Sequence, residues 1–192
     1  MNQQPIIVNG VRVLRPYEVK RLIRGIDKTK YRMMFEACLF SGMRYVELKR
    51  LQRHHKWFDP YAGFVTLPQT SQKKVKQKEK ERWVNLNPRG VDKISIFLEL
   101  GKKLPAYVTW RKNLKKWCKN AELDDAGMSV KVTRKTWESW LVYYYPQNIV
   151  NIFKSQGHSE MTSLKHYIGL PFSEQDGKDM EEFVGGFTWI RK

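Results

Sequence analysis

Apolar positions recur along this chain with two periods, and the change from one to the other outlines its elements. After Arg15-Pro16, the residues Val19, Leu22, Ile23 and Ile26 fall on one helical face, and Pro16 suits a first helical position. Gly25 to Thr29 punctuates. The run from Tyr31 to Phe40 is apolar almost all round, which predicts a helix central to the core. Ser41-Gly42 breaks it, and a third helix carries Glu47, Leu48 and Leu51. The pattern then shortens: Gly63 to Leu67 reads as a strand and Arg82 to Leu86 as its partner. Between them the lysine-dense QKKVKQKEKE predicts an exposed hairpin connection.

Helical spacing returns after Asn87-Pro88, with Asn87 as N-cap and Pro88 at the first position of a helix reaching about Leu100. In YVTWRKNLKKWCKNAEL, Trp110, Leu114, Trp117 and Ala121 share one face, while Lys112, Lys115, Lys116 and Lys119 form a strip of positive charge on another. Ser129 is a candidate cap for the next helix, which ends before Pro146. A short helix from Asn148 to Lys154 leads to Gly157-His158, and Tyr167 falls on or just after a further helix. The expectation is a mainly α chain with one small antiparallel β-sheet (α+β). Residues 1–14 form an irregular or short extended entry, residues 15–172 one domain, and residues 173–192 an acidic tail that docks on protein, a neighbouring protomer in an assembly.

Composition adds a partner. In 192 residues the net charge is +17, and the pI is near 9.9. Hydrophobic residues make up 41%, enough to exclude a disordered chain. The positive charge is clustered, and such a field attracts polyanions, so nucleic acid is the expected partner. No apolar run approaches the ~18 residues that span a bilayer, and the N-terminus lacks a signal-like pattern, so the expected location is intracellular, without membrane. Cys38 lies in the apolar run FEACLF, which predicts a buried thiol. Four histidines and two cysteines are scattered without ligand spacing, so no metal site is expected.

The candidate chemistry lies in ordered fragments. SGMRYVEL supplies Arg44, with Glu47 three residues on. Lys131 and Arg134 stand three apart in KVTR; Gly157-His158 follows 24 residues after Arg134, and Tyr167 nine after His158. In this order and spacing the chain resembles the catalytic domain of the tyrosine recombinases, the phage and viral integrases, from about Leu14 to Phe172. The family's pattern is an arginine in G-x-R-x-x-E-L, a hairpin lysine, H-x-x-R with lysine replacing histidine in some members, and G-H followed by the nucleophilic tyrosine. The resemblance implies Arg44 and Arg134 as phosphate clamps, Lys131 in the histidine position, His158 as a phosphate hydrogen-bonder, Tyr167 as nucleophile and Glu47 as a support. For the hairpin lysine, Lys73, Lys74, Lys76, Lys78 and Lys80 all compete; the family's position at the start of the turn favours Lys73, with Lys74 and Lys76 behind it. Lys74, Lys76 and Lys78, with Lys112, Lys115, Lys116 and Lys119, are the candidate DNA contacts.

That residue set suits DNA cleavage without metal, ATP or other cofactor. A tyrosine hydroxyl attacks the phosphate and must lose its proton. Arginine forks hold the charge that develops on the nonbridging oxygens, and a lysine can protonate the leaving 5′ oxygen. The resemblance implies a site-specific recombinase acting through a 3′-phosphotyrosyl link, on double-stranded DNA attachment sites, as a homotetramer. The lysine-for-histidine exchange suits an archaeal viral or plasmid integrase. Two rivals stay open: a type IB topoisomerase, which swivels one duplex, and a non-catalytic DNA-binding protein with the same fold. Arg44 and Glu47 also read as an ordinary surface i,i+3 pair. Two departures from the pattern stand out. Gln156 precedes Gly157-His158 where leucine is usual, and only about 14 residues precede the first helix. The family normally has a helical DNA-binding domain before this one, so the expectation is either a catalytic fragment or a minimal member.

Overall fold

The computed structural model describes residues 4–71, 81–157 and 167–187. Lys73, Lys74, Lys76, Lys78, Lys80 and His158 lie outside the described residues. The chain is mainly α, with small antiparallel sheets.

Of the two readings of the entry segment, irregular or short extended, the extended one holds over residues 6–13, where the chain forms a hairpin. β1 (Ile6–Val8) and β2 (Val11–Val13) pair antiparallel, Ile6 opposite Val13. Asn9 and Gly10 both adopt positive φ, the two-residue turn whose twist matches paired strands. This gives the fold a second sheet where one was expected. The hairpin is tied to the body by backbone: Arg12 N–H donates to the Gly127 carbonyl at 2.9 Å, and Leu14 N–H to Thr136 Oγ1 at 2.9 Å.

α1 (Pro16–Arg24) opens on Pro16, and the Glu18 carboxylate accepts from the Arg15 backbone N–H at 2.8 Å. α2 (Thr29–Ser41) is the central helix: Met34, Phe35 and the unbroken run from Ala37 to Ser41 are buried. It ends at Gly42, whose φ of +60° is the left-handed conformation that glycine adopts without a Cβ penalty. α3 (Tyr45–Leu51) follows at once. The second sheet has the order β3 (Phe58–Asp59), β4 (Phe64–Pro68), β5 (Glu81–Asn85), all antiparallel. Its short edge strand β3 was not expected; two residues are too few to show a period of two. In β5, Arg82 and Val84 turn to the buried side and Arg82 lies opposite Leu67.

α4 (Pro88–Glu99) begins at the Asn87 cap, whose side chain accepts from Gly90 N–H at 2.9 Å. α5 (Tyr107–Asn120) buries Trp110, Leu114 and Trp117 and exposes Lys112, Lys115, Lys116 and Lys119. α6 (Val132–Tyr144) starts two residues later than a Ser129 cap would require, with Lys131 at the capping position. It is the second core helix: Trp137 and Trp140 are fully buried, and it packs on α2, on β2 and on α7 (Ile149–Gln156).

The acidic segment also folds. α8 (Glu174–Val184) packs on α1 and α6 of its own chain, and buries Met180, Phe183 and Val184. Arg15 pairs with Asp176, and Asn87 Nδ2 donates to the Phe183 carbonyl at 2.8 Å. An amphipathic stripe, not only its charge, seats this segment on its own domain.

Candidate active site

A cleft of about 640 Å³ is lined by Met43, Arg44, Tyr45, Val46, Lys49, Arg50, Tyr107, Val130, Lys131, Arg134, Lys135 and Tyr167. Local chain chemistry explains how its cations arrive there. Gly42 ends α2, and two residues on, Arg44 occupies the N-cap of α3. The Glu47 carboxylate, in the first turn, accepts from the Arg44 backbone N–H at 2.9 Å and from its guanidinium at 2.9 Å. The i,i+3 pair therefore exists, but it is not a surface pair: Glu47 is 0% exposed.

A second arginine shares that carboxylate. Arg82 reaches Glu47 at 2.7 Å from β5, and it also donates to the Ser155 carbonyl at 2.8 Å. Burial alone would raise the Glu47 carboxyl; Arg82, Arg44 and Arg134 outweigh it and hold the group below its ordinary value of 4.5. Arg82 is the site residue that sequence reasoning missed. Its signal was a charged residue at an inward position of a strand, which costs several kcal/mol unless paired (roughly, for an isolated buried ion).

Arg134 stands on α6, one turn after Lys131. Its guanidinium donates to the Gly42 carbonyl at 2.9 Å, to Gln156 Oε1 at 3.0 Å and to the Gln156 carbonyl. Burial, with Arg44 and Arg82 nearby, lowers it to about 10, while Glu138 acts in the other direction. These contacts depend on close approach. A Cβ on Gly42 would meet Trp137 Cδ1 at 2.5 Å and Gln156 Oε1 at 2.7 Å, so no larger residue fits. Gln156, noted for standing where leucine is usual, is thus an acceptor for Arg134. Gly157 (φ +67°) ends α7 beside Arg82, and its carbonyl accepts from Arg44 at 3.1 Å. The Gly157 turn, the Arg44 helix start and the Arg134 helix start meet at one place.

Tyr167 lines the same cleft. Its hydroxyl donates to Glu138 Oε2 at 2.6 Å, and the Lys135 ammonium lies 3.9 Å from its ring centroid. Burial first, then the Glu138 carboxylate, pushes the phenol well above its ordinary range, while Arg134 and Arg44 pull the other way. Lys131 is exposed at the rim. The structure thus brings together Arg44, Glu47, Lys131, Arg134 and Tyr167, which are far apart in sequence. The α5 lysines do not line this cleft; Lys115 pairs with Asp125 at 2.9 Å and Lys116 with Asp27 at 3.5 Å.

No family model matches the sequence, and no curated protein matches it. The fold does have solved counterparts. The crystal structure of XerA recombinase superposes with a TM-score of 0.63 at 17% identity, over 88% of this chain and 64% of that one. XerH site-specific recombinase, crystallised with its palindromic difH substrate in a post-cleavage complex, superposes with a TM-score of 0.59 at 20% identity, over 94% of this chain and 53% of that one. This chain has the fold of a tyrosine recombinase catalytic domain. It spans less than two thirds of the length of either recombinase. Among the described residues, no helix of this recombinase-like domain is long and apolar enough to cross a membrane. The recombinase fold accounts for the mainly α architecture, and in this chain three arginines, three lysines and three tyrosines, Tyr167 among them, line one cleft.

Proposed function

We propose that this chain carries the catalytic domain of a site-specific DNA recombinase of the integrase kind. The observation that carries the reading is Tyr167 lining one cleft with Arg44, Lys131 and Arg134 on a recombinase fold. A phosphodiester entering that cleft meets guanidiniums already oriented by Glu47, Gln156 and backbone carbonyls. Preorganised donors stabilise charge developing on the nonbridging oxygens at little reorganisation cost. Tyr167 Oη attacks phosphorus, the 5′ oxygen leaves, and a 3′-phosphotyrosyl link retains the energy of the broken bond. A 5′-hydroxyl of a partner strand reverses the step. This chemistry draws on neither metal nor ATP.

In this reading, Lys131 is a cation at the phosphate. Lys73 protonates the 5′ oxygen, and His158 completes the hydrogen bonding; both come from the motif order. Duplex attachment sites are the substrate, four protomers assemble on two duplexes, and the biological outcome is integration of a mobile element such as a virus or plasmid. The lysines of residues 73–78 and of α5 hold flanking phosphates.

The test is incubation with a nicked duplex that loses the short strand after cleavage, using an attachment site of the element that encodes the chain. A protein–DNA band stable to denaturant, absent for Tyr167→Phe, supports the reading. No band for the wild-type protein with bound substrate defeats it. Joining of strands from two duplexes, rather than relaxation of one supercoiled circle, separates a recombinase from a topoisomerase.

A further inference from the structure

The cleft as described has cations for the phosphate, yet the attacking hydroxyl must also release a proton. Tyr167 is 6% exposed, so bulk water is a poor receiver. What the hydroxyl does touch is a carboxylate: Glu138 Oε2 at 2.6 Å, from a side chain 0% exposed. Glu138 follows Arg134 by four residues on α6, so the phosphate clamp and this carboxylate lie one turn apart on the same face. Geometry comes first in assigning a general base, and 2.6 Å is within the reach that direct proton transfer needs.

Resting on the recombinase reading, we infer that Glu138 is the proton acceptor for Tyr167 in strand cleavage, and its proton donor in rejoining. As Tyr167 Oη forms its bond to phosphorus, the Tyr167 O–H bond breaks and the proton passes to Glu138 Oε2. The P–O5′ bond breaks in the same displacement, and the 5′ oxygen takes a proton from a lysine ammonium, Lys73 in the reading above. In rejoining, the 5′-hydroxyl attacks, and Glu138 returns the proton to the departing phenolate.

Two cations on the same helix stand near the carboxylate. Arg134 and Lys135, both on α6, couple electrostatically to Glu138. Lys135 also lies over the Tyr167 ring, and Phe153 of α7 packs on it, which fixes the direction of the hydroxyl. A phenol and a carboxylate differ by about 6 pKa units in water, so the proton rests on Tyr167 before attack. It moves only when bond formation to phosphorus removes the basicity of the phenol oxygen. The same carboxylate therefore keeps the tyrosine neutral at rest and accepts its proton during reaction.

Glu138→Gln keeps the size and the hydrogen-bond acceptor but cannot take the proton. Single-turnover cleavage on the nicked duplex should fall by about 10²–10⁴-fold, the usual worth of a general base, with DNA affinity unchanged. Glu138→Asp, which keeps a carboxylate, should retain more activity than Glu138→Gln. A substrate with sulfur at the bridging 5′ position leaves without needing a proton: it should rescue Lys73→Ala and leave Glu138→Gln slow. Wild-type or faster cleavage by Glu138→Gln overturns the assignment, a faster rate marking Glu138 as a restraint on the nucleophile; so does rescue of Glu138→Gln by the sulfur substrate. A second readout does not depend on activity. With ¹³C-labelled tyrosine, the Tyr167 resonance should titrate at lower pH in Glu138→Gln, because the neighbouring anion is gone. An unchanged titration shows that the pair does not form in solution. A wild-type protein that forms no adduct on either substrate, with that titration shift present, counts against the recombinase reading alone.

Discussion

Arg82 and Glu47 form an ion pair of 2.7 Å with side chains only 2% and 0% exposed, and the Arg44 guanidinium binds the same carboxylate. Arg44 thus owes its position to a group that itself never faces the cleft. Desolvating two charges is costly, and the pair persists because further acceptors satisfy it, the Ser155 carbonyl among them. Removing one partner should cost about 3–5 kcal/mol. Arg82→Met is therefore expected to lower stability by that order in urea unfolding, and to weaken cleavage because Arg44 loses its anchor. Unchanged unfolding would show that the carboxylate is satisfied without Arg82.

Glu47 gives a pH prediction. Its folded-state value is below the unfolded 4.5, so its contribution is present above 4.5 and is lost as pH falls through the lower folded value. Acid unfolding of the wild type should therefore steepen below pH 4.5. Glu47→Gln should be less stable at neutral pH, with the gap closing on acidification. A gap that is constant with pH would exclude this linkage.

Tyr167→Phe should bind DNA and form no covalent adduct. It also leaves Glu138 buried with one donor fewer, so stability should fall by about 1–3 kcal/mol, measured by thermal unfolding. An adduct that survives in Tyr167→Phe and is lost in Tyr143→Phe would assign the nucleophile elsewhere.

Lys131→Ala should slow single-turnover cleavage strongly while leaving folding intact, because the side chain is exposed at the cleft rim. Lys131→His should recover part of the rate and add a pH dependence near neutrality. Full activity in Lys131→Ala removes it from the site.

The acidic segment should act on stability before assembly. Phe183 is 2% exposed against Trp140 and Phe40, so Phe183→Ala should cost about 3–5 kcal/mol. Deletion of residues 173–192 should leave a poorly folded domain. A deletion variant that unfolds at the wild-type urea midpoint would show that α8 contributes little.

Local chemistry alone determined much of this protein. The apolar run of α2, the Asn87-Pro88 helix start and the split face of α5 are legible because each rests on neighbours within one or two turns. The Asn9-Gly10 hairpin was equally local, though the short strands beside it hide their period. Motif order likewise picked out Arg44, Lys131, Arg134 and Tyr167 as candidates. What no local pattern carries is pairing across the chain. Arg82 reads as one more cation of a strand until β5 brings it to Glu47, 35 positions away in number but 2.7 Å in space. Glu138 reads as a polar residue on an apolar helix until Tyr167 meets it. The acidic tail reads as charge until Met180, Phe183 and Val184 find the groove beside α6. A buried charge is tolerated only with a partner, and the partner's identity is decided by packing of distant segments, which tertiary structure alone supplies.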